Sequence, residues 1–296
     1  MKIGLTGAAG FIGSRIVELA NRAGHSVVGF SRNAAKPLPG CVETRLFDMD
    51  ALCDFEGCDG IIHLAGESVA GIWTEEKRSR IMDSRKLGTR HVVNSIFAAR
   101  QPPSVLVSGS AIGFYGDTGE NEADEDAPAG KGFLAQVCQA WENEAARATE
   151  KGIRVVFLRS AVVLGKHGAL KAMLPAFRSG LGGKLGSGRQ WMAWIHIDDE
   201  AALALFALEN QALDGPVNAA APAPCRNADF TKALGLALHR PAFLTIPAVV
   251  LSSTLGDFSH ELLDNRRIIP KRPILHKFPY RFPLLDEALT NILHEK

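Results

Sequence analysis

The chain has 296 residues, 46% of them hydrophobic, with 33 basic against 32 acidic side chains and a formal net charge of +1. That length can bury a full core and a smaller second unit. The balanced charge offers no broad field to nucleic acid or an anionic membrane, so the expected partner is a small-molecule substrate.

The five cysteines (Cys41, Cys53, Cys58, Cys138, Cys225) are odd in number and include no CxxC pair, which fits a reducing cytoplasmic setting better than a disulfide framework. No HExxH or HxxxH occurs, so no metal site is expected. No apolar run reaches the ~18 residues of a membrane span, and the opening residues lead into a strand rather than a signal peptide.

The chain opens as strand, glycine turn and helix: KIGL, then TGAAGFIG (residues 6–13), then an amphipathic run ending in glycine. In that setting Gly7, Gly10 and Gly13 have the spacing of a pyrophosphate-binding turn, which needs a tight bend, close approach of backbone N–H groups and a small residue where helix meets strand. Thr6, Phe11 and Ile12 share the turn and are expected to touch the cofactor with the glycines. SVVGF (residues 26–30) is a second buried strand. NAD enzymes usually place Asp or Glu after it for the ribose 2′-OH, whereas Ser31 and Arg32 suit a 2′-phosphate and point to NADP(H). The alternative for Arg32 is a solvated loop arginine.

VETRLF (residues 42–47) reads as strand three, followed by Asp48, which could accept from the adenine amino group or cap a helix. IIHLA (residues 61–65) is strand four, and Leu64, Ala65 and Gly66 at its end are expected beneath the cofactor ribose. Gly66 to Ser68 also echoes the nucleophile elbow GxSxG, but Ala70 replaces its last glycine and the next helix starts only at Thr74. A long helix then runs to about residue 100, and SVLVS (residues 104–108) is strand five. GSAIGFYG (residues 109–116) is expected to set Ser110 and Tyr115 on a loop at the ligand edge. The serine could bond a substrate oxygen; the tyrosine could exchange a proton if its ordinary pKa near ~10 is lowered.

Residues 117–132, acidic and glycine-bearing, read as a solvated lid. An amphipathic helix over 133–151 ends at Gly152, IRVVFLR (residues 153–159) is strand six, and residues 161–163, Val163 included, fall beside the nicotinamide carboxamide. Further on, a helix is expected over 169–178, His196 is a base or a structural histidine at a helix start, and Asp198 and Asp199 cap the helix that follows. Apolar strands alternating with helices predict an α/β fold with a parallel sheet and ligands at the strands' carboxyl ends.

TGAAGFIG, HLAG, SGSAIGFYG and WIHIDDEA resemble motifs of the extended short-chain dehydrogenase/reductases, the nucleotide-sugar epimerase type. HLAGESVAG, WTEEKRSRIMDSR, RSAVVLGKHG, LGSGRQWMAWIHIDD and GPVNAAAP bring the chain closer to the epimerase-family proteins of the YfcH type, along nearly its whole length. The resemblance implies a Rossmann fold, a doubly wound parallel sheet with helices on both faces. Residues 1–165 would form the NADP-binding core, and 166–296 would complete the sheet and form a smaller, interleaved C-terminal substrate domain. It also implies NADP(H) and an unassigned substrate.

The chain departs from that family at its YxxxK acid/base pair. Only Tyr115 and Tyr280 are present, neither has lysine four residues later, and Phe133, Leu134, Val137 and Cys138 occupy the candidate positions. Ser110 alone matches the triad, which leaves Tyr115 as the replacement acid. Arg85 lies three residues before Gly88 and Thr89, where the family has NxxGT, and is expected to bond the cofactor ribose or phosphates; the alternative is an ion pair with Asp83 or a loop carboxylate. The expected activity is hydride transfer or epimerisation on a small polar substrate, a nucleotide sugar being one candidate. Its rival is a non-catalytic NADP(H) sensor or scaffold.

Overall fold

The computed structural model describes residues 1–294, so the last two residues of the 166–296 segment lie outside the described residues. The first half contains β1 (Lys2–Thr6), α1 (Phe11–Arg22), β2 (Ser26–Ser31), β3 (Glu43–Leu46), β4 (Gly60–His63), α2 (Glu75–Ala98), β5 (Val105–Ala111) and α3 (Phe133–Ala146). Next come β6 (Arg154–Ser160), β7 (Val162–Leu164), α4 (Gly168–Arg178), β8 (Gly183–Leu185), β9 (Trp191–Met192), β10 (Trp194–His196), α5 (Ile197–Glu209) and β11 (Gly215–Ala219). The remainder is β12 (Cys225–Arg226), α6 (Asn227–Ala237), β13 (Leu244–Ile246), α7 (Ala248–Leu255), α8 (His260–Leu263), α9 (Lys271–Leu275) and α10 (Leu285–His294).

One parallel sheet of seven strands runs β11-β6-β5-β4-β1-β2-β3. α1 packs with α5, and α2 with α3, covering its two faces in the doubly wound Rossmann arrangement. Covering both faces explains the near-continuous apolar strands: Ile3, Leu5, Val27, Val28, Ile61, Ile62, Leu106 and Val107 are all buried. The strand order reverses at β1 and β4, whose ends Thr6 and His63 stand in register, and such a reversal opens a ligand crevice at the carboxyl ends. A second core around Phe177, Trp194, Phe230, Leu234, Phe282 and Leu289 forms the smaller C-terminal body.

Several local expectations are met and others are corrected. Thr74 caps α2, its hydroxyl accepting from Lys77 N at 3.2 Å, and Gly152, with φ +72°, closes the segment after α3. That segment is not one helix to residue 151: α3 ends at Ala146 and Arg147–Lys151 continues as a tighter 3₁₀ turn. No helix begins near Asp48; its carboxylate accepts from Asp50 N at 3.1 Å in a local turn. The cap of α5 is His196, not Asp198 or Asp199, with Nδ1 accepting from Asp198 N at 3.0 Å. The two aspartates hold other chain segments instead: Asp198 pairs with Arg15, and Asp199 accepts from the backbone N–H groups of Arg281 and Phe282.

The acidic stretch after residue 116 is a clasp, not a solvated lid. Thr118 N donates to Asn265 O at 2.8 Å, Ala123 bridges in parallel to Ile268, and Lys271 pairs with Asp124 and Asp126. Its buried carboxylate is Glu125, which accepts from Asn218 N at 3.0 Å and Arg272 N at 3.2 Å, tying β11 to the C-terminal body. Glu125→Ala is therefore expected to lower unfolding stability by about 2 kcal/mol or more, because two N–H groups lose their acceptor in a water-poor site. Urea unfolding checks this; a loss within the scatter of surface substitutions would refute it.

Candidate functional site

Two of the turn glycines are fixed by space. Gly7 has φ +76°, a left-handed conformation, and a Cβ on Gly13 would lie 2.1 Å from Gly7 O. The same crowding seats the turn on the end of β4, since a Cβ on Gly7 would meet Leu64 C at 3.1 Å and Ala65 N at 3.2 Å. α1 starts at Gly10 with no side-chain cap, so the first-turn N–H groups of Phe11, Ile12 and Gly13 open toward the crevice, where they favour an anion.

A buried polar chain holds this floor. Thr6 Oγ1 accepts from Leu64 N (3.1 Å) and Ala65 N (3.2 Å) and lies 2.7 Å from His63 Nδ1, while His63 Nε2 lies 3.1 Å from Thr89 Oγ1 on α2. With two N–H groups already on its oxygen, the Thr6 hydroxyl donates to Nδ1, and the neutral ring carries its proton on Nε2 toward Thr89. Burial pushes the His63 pKa down to about 4. Sequence reading passed over this histidine, although a lone ring inside the apolar run IIHLA was the available signal.

Ser31 ends β2, in register with Leu46, and exposed Arg32 follows it with no hydrogen bond or ion pair to any described residue. Asp48 lies just past β3 on the same edge. Val163 lies in β7 paired with Ile195, and the following turn packs on Phe11, whose ring a Cβ on Gly165 would meet at 2.6 Å. Gly66 lies against Arg85: a Cβ there would be 3.5 Å from the guanidinium carbon. Arg85 forms no ion pair with Asp83 or any other carboxylate among the described residues. It donates to the carbonyls of Glu67 (2.9 Å) and Ile81 (3.3 Å), lies 5.0 Å over the Trp141 ring, and has its pKa lowered by burial. A half-buried cation without a counter-charge is costly and readily takes an anion or other acceptor.

At the other end of the crevice the structure corrects two expectations. Ser110 lies inside β5, opposite Arg159, and not on a loop; its Oγ donates to Glu142 Oε1 at 2.6 Å. Tyr115 closes the 3₁₀ turn Ile112–Tyr115 and is buried, its hydroxyl accepting from Arg159 Nη1 (2.8 Å) and donating to Asn218 Oδ1 (2.7 Å). Burial pushes its pKa up to about 12, opposite to the lowering that acid/base work needs, so Tyr115 is a structural phenol here. Arg159 completes a bidentate pair with Glu142, both bonds 2.8 Å. An arginine inside VVFLRS was the sequence signal for this pair.

On α3, Leu134 and Cys138 stand one turn apart facing the exit of β5: a Cβ on Gly113 would lie 3.2 Å from Leu134 Cβ and 3.9 Å from Cys138 Sγ. Phe133 packs instead on Trp73 and under Arg78. Beside them a cavity of about 770 Å³ lies between the core and the C-terminal body, lined by Trp73, Arg78, Phe133, Leu134, His260 and Arg266 among others. Arg78 and Trp73 of this lining also meet the segment before α8, Arg78 bonding Asp257 and Trp73 packing on Phe258. After the strand-four end, Ser68 Oγ accepts from Ala70 N in an irregular stretch, which is not the strand-to-helix elbow of a hydrolase. The described residues contain no group of three or more potential metal ligands, and none of their helices is long and apolar enough to cross a membrane.

The sequence profile of the NAD dependent epimerase/dehydratase family matches residues 3–220, and that of a domain of unknown function, DUF1731, matches residues 246–292. The epimerase family protein YfhF of Bacillus subtilis (strain 168) is 34% identical over 100% of this chain and 99% of its own length. The crystal structure of the human epimerase family protein SDR39U1 (isoform2) with NADPH superposes with a TM-score of 0.92 at 35% identity, covering 100% of both chains. A nucleoside-diphosphate sugar epimerase from Corynebacterium glutamicum gives 0.77 at 30% identity, over 99% of this chain and 58% of that one. The chain belongs to the NAD dependent epimerase/dehydratase family, within the extended short-chain dehydrogenases/reductases.

The buried histidine makes the nucleotide floor pH-sensitive. Between its ordinary pKa of 6.5 and about 4 in the fold, the unfolded chain binds the extra proton, so stability falls as pH drops through that window. The loss expected from His63 is about 3 kcal/mol in all, and His63→Gln should remove that slope. Denaturant unfolding of both proteins across the window checks it; parallel pH curves would refute it.

Proposed function

We propose that this member of the family binds NADP(H) along the crevice and acts as an oxidoreductase or epimerase-like enzyme on a small polar substrate held in the adjoining cavity. The carrying observation is the exposed Arg32 just past β2, with no partner among the described residues, on the same edge as the uncapped start of α1. Those two features fit a nucleotide with a pyrophosphate and a further phosphate on its ribose. NADPH in the human relative supports the choice of cofactor.

In this reading Gly7, Gly10, Phe11, Ile12 and Gly13 hold the pyrophosphate above the floor that buried Thr6 pins, Ser31 and Arg32 the 2′-phosphate, and Asp48 the adenine. Leu64, Ala65, Gly66, Arg85 and Val163 lie along the nicotinamide half. When bound, the cofactor supplies hydride transfer; the chain supplies orientation and exclusion of water. Arg85, cationic and with no carboxylate partner among the described residues, anchors the ribose where the family's lysine is absent. Ser110 meets a substrate oxygen. Five free cysteines agree with a cytoplasmic setting. A second reading, a non-catalytic NADP(H) sensor, is favoured by Leu134 and Cys138 at the α3 positions facing β5, since neither offers the usual proton.

Arg32→Ala is expected to weaken NADPH about 10–100-fold and leave NADH unchanged, the worth of one charge-assisted phosphate contact. Fluorescence titration checks it; equal wild-type affinity for both cofactors, unaffected by the substitution, would remove the 2′-phosphate assignment. Turnover is tested by NADPH absorbance across carbonyl compounds and sugar nucleotides, where persistent failure favours the sensor.

A further inference from the structure

The Ser110 hydroxyl donates its single proton to Glu142 Oε1 at 2.6 Å. Only its lone pairs remain for a ligand, so it can receive a proton from a substrate hydroxyl but cannot donate to a carbonyl unless Glu142 returns one. Glu142 is buried on α3 and faces Arg159 on β6, with Tyr115 bonded to that same guanidinium and Cys138 one turn earlier on its own helix. Neither side chain of this α3 face that meets the exit of β5, Leu134 or Cys138, supplies an ordinary acid: one is apolar, and burial pushes the Cys138 thiol up to about 11.

We propose that Glu142 is the positioning residue and proton store behind Ser110, the Ser110–Glu142 pair taking the place of the family's tyrosine and lysine. This rests on the reading of the chain as a hydride-transferring enzyme. In the oxidising direction the substrate O–H bond breaks as its proton joins Ser110 Oγ, and the original Ser110 proton passes to Glu142 Oε1. The electron pair of the substrate's carbinol C–H bond leaves as hydride to the oxidised nicotinamide. The products are a carbonyl, a reduced nicotinamide and a neutral Glu142 carboxyl; reduction runs the same transfers backwards. Arg159 holds both carboxylate oxygens in the plane that receives the serine proton.

Two measurements on the full-length holoprotein test this. Infrared difference spectra between the NADPH and NADP⁺ forms, with isotope-labelled glutamate, should show a protonated carboxyl with NADPH that vanishes in Glu142→Gln. With methylglyoxal, glyceraldehyde and benzaldehyde as probes, Glu142→Gln should lose about 10²–10⁴-fold in kcat and the pH dependence of kcat, with KM and NADPH affinity within about twofold of wild type. Ser110→Ala should lose kcat equally. Glu142→Gln/Arg159→Met removes the charge pair together, so a melting defect in the single variant that this double variant repairs does not obscure the result; the double should remain inactive. No carboxyl band, or a Glu142→Gln enzyme with wild-type kcat and pH profile, overturns the relay. If wild type oxidises NADPH with none of the probes, the turnover reading fails and the relay with it; a wild type that turns over beside a Glu142→Gln enzyme of equal kcat and pH profile overturns the relay alone.

Discussion

The pair between Glu142 and Arg159 is the constraint on which the β5–β6 end of the crevice depends. Both side chains are buried, and the bidentate contact at 2.8 Å, with Tyr115 and the Phe114 ring also on the guanidinium, offsets the cost of taking the charges out of water. From this pair the order spreads outward: Glu142 fixes the Ser110 hydroxyl, Arg159 fixes Tyr115, and Tyr115 fixes Asn218 on β11. The arginine also lies 3.5 Å from the Phe114 ring centroid, which packs the turn after β5 onto β6. A network in which every partner is engaged sets side-chain positions more rigidly than apolar packing would.

The two ends of the crevice are built from different groups. The nucleotide end is built from backbone: a glycine turn, open helix N–H groups, and a floor pinned by Thr6 and His63. The other end is built from side chains on β5, β6 and α3. Leu134 and Cys138, the α3 side chains that face the exit of β5, are an apolar group and a buried thiol, so the polar groups at this end are Ser110, Glu142 and Arg159.

Much of the fold was legible because its signals are local. The glycine turn, the Thr74 cap, the Gly152 stop and the apolar strands each follow from a few adjacent residues. The misreadings share a cause, which is a partner far away in sequence. The acidic stretch after Gly116 looked solvated because the residues that neutralise it lie near 265–272. Tyr115 looked available because Asn218 and Arg159 are not its neighbours in the chain. His196 was readable as a structural histidine at a helix start, but its ring, not the aspartates, proved to be the cap.

The clasp between the acidic stretch and the C-terminal body also bears on the order of assembly. All seven strands of the sheet are specified by residue 219, yet Asp124, Asp126 and Glu125 wait for Lys271 and Arg272 to emerge before their charges and acceptors are met. During synthesis, the crevice at the strands' carboxyl ends can form while the wall of the cavity beside the C-terminal body is still unmade, since domains fold as units from the N-terminal side. The closing contacts span more than a hundred residues, so they belong to the slow, late part of folding. The wall of that cavity is thus the last feature the nascent chain acquires.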